Sequence, residues 1–502
     1  MNDIEIAQAV STILSKFTKA TPDEAPATSE AARVDGLDEI VAKALAQHSS
    51  VRDASAISQV AKVANASTGA FDTMDEAISA AVLAQVQYRH CSMQDRASFI
   101  NGIRDVFLQE DVLCALSRMA VEETGMGNYE DKLIKNRVAA LKTPGIEDLT
   151  TSAVSGDGGL TLIEYSAFGV IGSITPTTNP TETIINNSIG MLAAGNTVVF
   201  SPHPRSRKVS LYAVELINNK LAQLGAPANM VVTVTKPSID NTNVLINDPR
   251  INMLVATGGP AIVKTVMSSG KKAIGAGAGN PPAVVDETAD IEKAARDIIK
   301  GCSFDNNLPC VAEKEVIVVN QVADYLIHCM KKSGAYLLCD KKLSQQLQSL
   351  VLNEKGTGPN TAFVGKDARY ILQQLGIQVG DDIKVILIEA EKTHPFVVHE
   401  LILPVVRVDN VDEAIELAVK VEHGNRHTAV MHSTNVEKLT KMARLIQTTI
   451  FVKNGPSYAG LGVGGEGHAT FTIAGPTGEG LTSARSFARR RRCVMVEALN
   501  IR

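Results

Sequence analysis

The feature that most constrains this chain is a rhythm. Between residues 169 and 257, four short apolar runs, GVIGSIT, NTVVFSP, NMVVTVT and INMLVAT, each give way to a polar-led stretch. Runs this short and this rich in Val and Ile read as strands. Strands that alternate with helices predict a parallel sheet covered on both faces. Helices are expected from Glu182, from about Lys208, over NTNVLIND and after GGP. A second region of the same kind runs from about Pro282 to Leu461, with EVIVVN, KVILIEA and TAVMHS as strands. Upstream, residues 49–141 carry apolar side chains three and four apart, a helical pattern. The fold class is α/β, and 502 residues are too many for one ordinary domain.

Three segments stand outside the rhythm. SAVSGDGGLTLIEYS, residues 152–166, places a Gly-Asp-Gly-Gly turn before alternating residues and predicts a β-hairpin arm. The final VMVEALNIR is strand-like and is expected to pair with that arm, in this or another subunit. The first twenty residues form an amphipathic helical pattern, with Ile6, Val10, Ile13, Leu14 and Phe17 on one stripe, and the Pro/Ala/Thr/acid stretch TPDEAPATSEAA follows. A tethered helix is expected to bury that stripe on a partner; a helix docked on its own domain is the alternative. The segment lacks a basic n-region and has no Arg before Arg33, which argues against a signal peptide or a presequence.

Charge and cysteines exclude further classes. A net charge of -5 argues against nucleic acid as a partner, and the run from Arg489 to Arg492 leads straight into strand-like sequence. No apolar stretch approaches the roughly 18 residues a membrane span needs. The seven cysteines, at 91, 114, 302, 310, 329, 339 and 493, make no CxxC pair and no Cys/His cluster at zinc spacing. No metal site is expected, and reduced thiols in a cytoplasmic compartment are the economical reading.

Three stretches carry residues suited to chemistry. In TGGPAIVKTV a strand ends at Thr257, Gly258 and Gly259, and Pro260 takes the first helical position. Free N–H groups at such a helix start suit a pyrophosphate, although Gly-Gly-Pro opens many helices. In SITPTTNPTETIINN a strand breaks into proline-bounded turns with Asn179 at the tip; it is either an ordinary turn residue or an amide donor to an oxyanion. In SFDNNLPCVAEKEVIVVN, Cys310 stands behind a proline at the mouth of a strand. It is either a small apolar filler or a thiol held out to react.

Taken together and in order, these stretches resemble the aldehyde dehydrogenase superfamily. The likeness is to its coenzyme-A-acylating branch, especially the propionaldehyde and acetaldehyde dehydrogenases of bacterial microcompartments. It runs from about residue 50 to the C-terminus through AVEETGMGNYEDKLIKN, TPGIEDLTT, ITPTTNPTETIINN, VVFSPHP, GAGAGNPPAVVD, DNNLPCVAEKE and AGPTGEGLTSAR. The resemblance implies an aldehyde dehydrogenase fold with a Rossmann-like nucleotide-binding domain (48–150 and 167–281) and an α/β catalytic domain (282–482). A β-strand oligomerisation arm (151–166 and 483–502) would join subunits into a homodimer or homotetramer. Residues 1–20 resemble encapsulation helices that bind a microcompartment shell protein, with 21–47 as a flexible linker, which places the protein in the lumen of a compartment in the bacterial cytoplasm.

The resemblance also implies site roles. Cys310 takes the nucleophile position, and Asn179 with the Cys310 backbone N–H takes the oxyanion positions. Thr175, Pro176, Thr177, Ser201, Pro202, His203, Thr257, Gly258, Gly259, Gly277 and Glu400 fall at nucleotide-contact positions, with NAD as cofactor and coenzyme A as co-substrate. Two departures matter. Ala276 stands where hydrolytic members carry a water-activating glutamate, so the acyl group is expected to leave on the thiol of coenzyme A. Ser201 stands where many relatives have lysine, and Arg205, Arg207 and Lys208 are either a solvated helix start or the receptor for the coenzyme A 3′-phosphate. The expected reaction converts a short-chain aldehyde, with TPGIEDLTTSAVSGDGG favouring propionaldehyde over acetaldehyde. A hydrolytic dehydrogenase and a non-catalytic shell-associated protein are the alternatives.

Overall fold

The computed structural model describes residues 68–501 except 357, 393 and 395–400. The expected N-terminal helix, the linker and Glu400 therefore lie outside the described residues.

The rhythm of the sequence becomes two parallel sheets. In chain order the first strands are β1 (Ala70–Phe71), β2 (Ser152–Gly156), β3 (Gly159–Ala167), β4 (Val170–Thr175), β5 (Thr197–Pro202), β6 (Val231–Val234), β7 (Met253–Thr257) and β8 (Lys272–Ala276). Six of them pair in the order β1-β6-β5-β4-β7-β8, every pair parallel. From β4 the chain moves outward through β5 and β6, then crosses back to lay β7 and β8 on the other side. The order therefore reverses between β4 and β7, and a crevice opens at such a reversal outside the carboxyl ends of the strands.

Side chains of these strands alternate between two buried clusters. Val170, Val199, Val232 and Leu254 pack on the helix Met74–Tyr88, while Ile171, Val198, Val231 and Met253 face the opposite way. Both faces are covered, which is why the runs read as continuously apolar. The helix after β4, Pro180–Ala193, is buried along its whole length. It begins at Pro180 rather than Glu182 because proline's missing N–H costs nothing at a first helical position.

The second sheet holds β9 (Pro282–Val285), β10 (Glu315–Val319), β11 (Ala335–Leu337), β12 (Val385–Ala390), β13 (Ile402–Val408), β14 (Thr428–His432) and β15 (Ile450–Lys453). Its order is β11-β12-β13-β10-β9-β14-β15, again all parallel. A short antiparallel pair, β16 (Ile473–Ala474) and β17 (Gly480–Leu481), precedes β18 (Ala488–Val496). Within this chain β18 pairs antiparallel with β3, which pairs with β2, so the hairpin and the C-terminal strand make one three-stranded arm. The arginine run lies in β18, on an exposed ribbon. No helix among the described residues is long and apolar enough to cross a membrane.

Candidate active site

Strands of a parallel sheet end at a common edge, and several of the singled-out residues stand there. Thr175 closes β4 opposite Pro202 of β5, and Thr257 closes β7 opposite Ala276 of β8. The Ser201 hydroxyl is buried against the Thr242 hydroxyl at 2.8 Å, and the Thr257 hydroxyl meets that of Thr472 at 3.0 Å. Thr175 Oγ1 is buried with no hydrogen-bond partner among the described residues, and the half-buried Pro176 and Thr177 follow it.

Beside this edge the helix Pro260–Met267 starts at Gly259 with no side-chain cap, and a Cβ on Gly259 or Gly277 would meet nothing within 4 Å. Uncapped N–H groups at an open helix start, with an unpaired hydroxyl on the same edge, fit a phosphate-bearing dinucleotide. The arrangement after β5 is different. His203 Nδ1 accepts from the Arg205 N–H at 3.1 Å, while Arg205 donates a guanidinium N–H to the Thr124 carbonyl at 3.2 Å. Glu123 accepts from the N–H groups of Lys208 and Val209 at 2.7 and 2.9 Å. That helix start is thus already capped by a carboxylate, and Arg207 and Lys208 project as exposed side chains.

Cys310 lies in the turn before β10, approached through unusual backbone. Asp305, Asn306 and Asn307 all have positive φ, at 47°, 52° and 62°, a left-handed conformation that Asn and Asp tolerate better than other side chains. Anchors hold the turn in that shape. Asn307 donates from Nδ2 to the carbonyls of Cys302 and Glu313 at 2.8 and 3.1 Å. Lys314 Nζ donates to the Asn307 carbonyl at 2.9 Å and to its Oδ1. The Asp305 N–H donates to Asp131 at 2.8 Å, and Asp305 Oδ1 accepts from the Asn128 N–H at 2.8 Å.

Below the turn is a fully buried charge cluster. Lys132 and Lys135 sit three residues apart on one face of the helix Tyr129–Lys142, with Asp305 between their ammonium groups at 3.0 and 2.5 Å. Lys135 also reaches Glu182 at 3.0 Å and donates to Asn179 Oδ1 at 2.5 Å, while Lys132 donates to the Thr178 carbonyl at 3.2 Å. Burial works against the charge on Lys135, but Asp305 and Glu182 outweigh it and raise its pKa. For Lys132 burial wins, and its pKa falls despite Asp305.

Burial also pushes the Cys310 thiol up to about 11, against the pull of Lys314, its own backbone amide and Lys135. On the far side stands His427. A Cβ on Gly279 would lie 2.5 Å from the Cys310 carbonyl and 2.8 Å from the His427 ring, so that glycine separates the two only narrowly. His427 Nδ1 meets the Thr428 hydroxyl at 2.8 Å, whereas Nε2 is buried without a partner among the described residues. Burial, helped by Lys314, lowers its pKa to about 4, so the ring is neutral at pH 7. No group of metal-ligating side chains occurs among the described residues.

This geometry has counterparts. Residues 42–351 match the model of the aldehyde dehydrogenase family. The chain belongs to that family. A propanal dehydrogenase (CoA-propanoylating) of Salmonella typhimurium is 52% identical over 440 residues, covering 86% of this chain and 93% of that one. A propionaldehyde dehydrogenase of Rhodopseudomonas palustris, solved with bound CoA and an acylated cysteine, is 72% identical with a TM-score of 0.86. It covers 87% of this chain and all (100%) of that chain. The propionaldehyde dehydrogenase of the Clostridium phytofermentans fucose-utilisation microcompartment is 52% identical with a TM-score of 0.84, covering 86% of this chain and 100% of that one. The aldehyde dehydrogenase fold read from the sequence is the fold observed.

Lys132, Lys135, Glu182, Asp305 and His427 are the polar residues of this site that sequence reasoning passed over. The two lysines had a usable signal, an i,i+3 pair inside NYEDKLIKN. His427 had none, because only the fold brings β14 beside the cysteine turn.

Proposed function

We propose that this aldehyde dehydrogenase oxidises a short-chain aldehyde, propanal in preference to acetaldehyde, and transfers the acyl group to coenzyme A with NAD as oxidant. The reading is carried by one observation. The cysteine turn and the Asn179 amide, which come from connections of different sheets, are held on the same buried lysine, Lys135.

Neutral His427, with its unpartnered Nε2, accepts the thiol proton, and the Cys310 sulfur attacks the carbonyl carbon. The resulting oxyanion is met by Asn179 Nδ2 and the Cys310 backbone N–H; one such donor is typically worth about 2.7–4 kcal/mol in the transition state. When bound along the edge formed by Thr175, Ser201 and Thr257, the nicotinamide nucleotide supplies a hydride acceptor. Loss of the former aldehyde hydrogen as hydride, as the oxyanion re-forms its C=O bond, leaves the acyl group as a thioester on Cys310. Ala276 offers no carboxylate to activate water, so the thioester waits for a thiol nucleophile. Near its ordinary pKa of about 8.5, the thiol of coenzyme A is ionised to a few per cent at neutral pH. Exposed Arg207 and Lys208 are suited to its 3′-phosphate, whereas the capped helix start beside them is not.

Residues 1–20 are proposed to dock on a microcompartment shell protein, and the exposed arm of β2, β3 and β18 to join subunits into a dimer or tetramer. The test is a rate comparison of ethanal, propanal and butanal with and without coenzyme A, alongside Cys310→Ala. Acyl-coenzyme A and NADH should form in equal amounts, fastest from propanal, and not at all in the variant. Free acid produced at the same rate without coenzyme A would refute the transfer and favour hydrolysis.

A further inference from the structure

Asn179 occupies the N-cap of the helix Pro180–Ala193, yet its side chain accepts from no N–H of that helix. An asparagine at that position ordinarily spends its oxygen on the cap. Here the oxygen goes to Lys135 Nζ at 2.5 Å. Lys135 donates to Asn179 Oδ1 and lies in ion-pair contact with Glu182 Oε1 at 3.0 Å and Asp305 Oδ2 at 2.5 Å. The two carboxylates already offset the charge, so the hydrogen bond to Asn179 does not serve neutralisation. It dictates which end of the amide faces the lysine. The NH2 group must then face away, and its only partner among the described residues is the Thr178 hydroxyl at 3.3 Å, which leaves one proton for another acceptor.

We infer that Lys135 is a positioning residue for the oxyanion donor: it locks the Asn179 amide with NH2 outward and, through Asp305, ties that donor to the cysteine turn. This deepens the proposed function and rests on its assignment of Asn179. Asp305 begins the left-handed stretch that leads to Cys310, so one ammonium fixes two segments that are 126 residues apart in the chain (305 − 179). Lys132 repeats the link one helical turn earlier, from Asp305 to the Thr178 carbonyl, but reaches only backbone there. It holds the segment without choosing the orientation of the amide.

The test compares the effect of Asn179→Ala in two backgrounds, with propanal, NAD and coenzyme A at saturation. One background is wild type. The other is Lys135→Met/Glu182→Gln, which removes one buried cation and one buried anion together while Lys132 still pairs with Asp305; folding is checked by thermal melting. If that pair does not fold, Lys135→Gln provides the second background.

In wild type, Asn179→Ala should lower kcat roughly 100- to 1,000-fold with the aldehyde KM little changed. Without Lys135 the same substitution should cost less than about 3-fold, because the donor is already misdirected and residues acting as one unit are not additive. A loss of about 100-fold in both backgrounds overturns the role of Lys135 and leaves the Asn179 assignment standing. No loss in wild type overturns the Asn179 assignment itself.

Discussion

Substituting Gly279 by alanine tests how tightly the cysteine turn is placed. The added Cβ would sit 2.5 Å from the Cys310 carbonyl oxygen and 2.8 and 2.9 Å from Cγ and Nδ1 of His427. A carbon-to-oxygen contact settles at about 3.3 Å or more, so the Cys310 backbone must yield by roughly 0.8 Å. His427 is buried and gives little way. Overpacking of this kind costs about 1–3 kcal/mol of stability. Misplacing a reacting group by about 1 Å costs about 100-fold in rate. Steady-state kinetics with propanal should therefore show kcat down about two orders of magnitude, with a modest drop in melting temperature. A folded Gly279→Ala protein with kcat within about 3-fold of wild type would refute the claim that Cys310 reacts from this position.

Other measurements probe different parts of the account. With its pKa raised to about 11, Cys310 in the free protein should react with iodoacetamide about tenfold faster per pH unit from 7 to 10; a plateau below pH 8 would contradict the burial argument. Glu315 is buried and its carboxyl is pushed up to about 8 by desolvation, so the folded state holds that proton more tightly than the unfolded chain. Stability is then lost as pH rises from about 4.5 through 8, and Glu315→Gln should gain more at pH 8 than at pH 5, by on the order of 3 kcal/mol; an equal shift at both pH values would exclude this. Reversing Arg207 and Lys208 to glutamate should raise the apparent KM for coenzyme A, and an unchanged value would remove them from its 3′-phosphate.

The architecture was legible because a covered parallel sheet writes itself as short apolar runs between helices. GVIGSIT, NTVVFSP, NMVVTVT and INMLVAT are β4 to β7, and SAVSGDGGLTLIEYS is the hairpin of β2 and β3. Local signals also placed the turn of Asn179 and the strand after Cys310. What stayed hidden depends on distance in the chain. Lys135 and Asp305 look like solvated charges until the fold buries them 2.5 Å apart. The cap of the helix start after β5 was not legible either, because Glu123 comes from a helix some 85 residues earlier. His427 is invisible for the same reason.

The central claim is that Cys310 carries the oxidised fragment until a thiol removes it. Incubating the protein with propanal and NAD, without coenzyme A, and mapping the product by peptide mass spectrometry addresses it directly. One propionyl group should appear on the peptide containing Cys310, be discharged when coenzyme A is added and be absent from Cys310→Ala. Acylation at another cysteine, or NADH formation with no acylated protein, would contradict it.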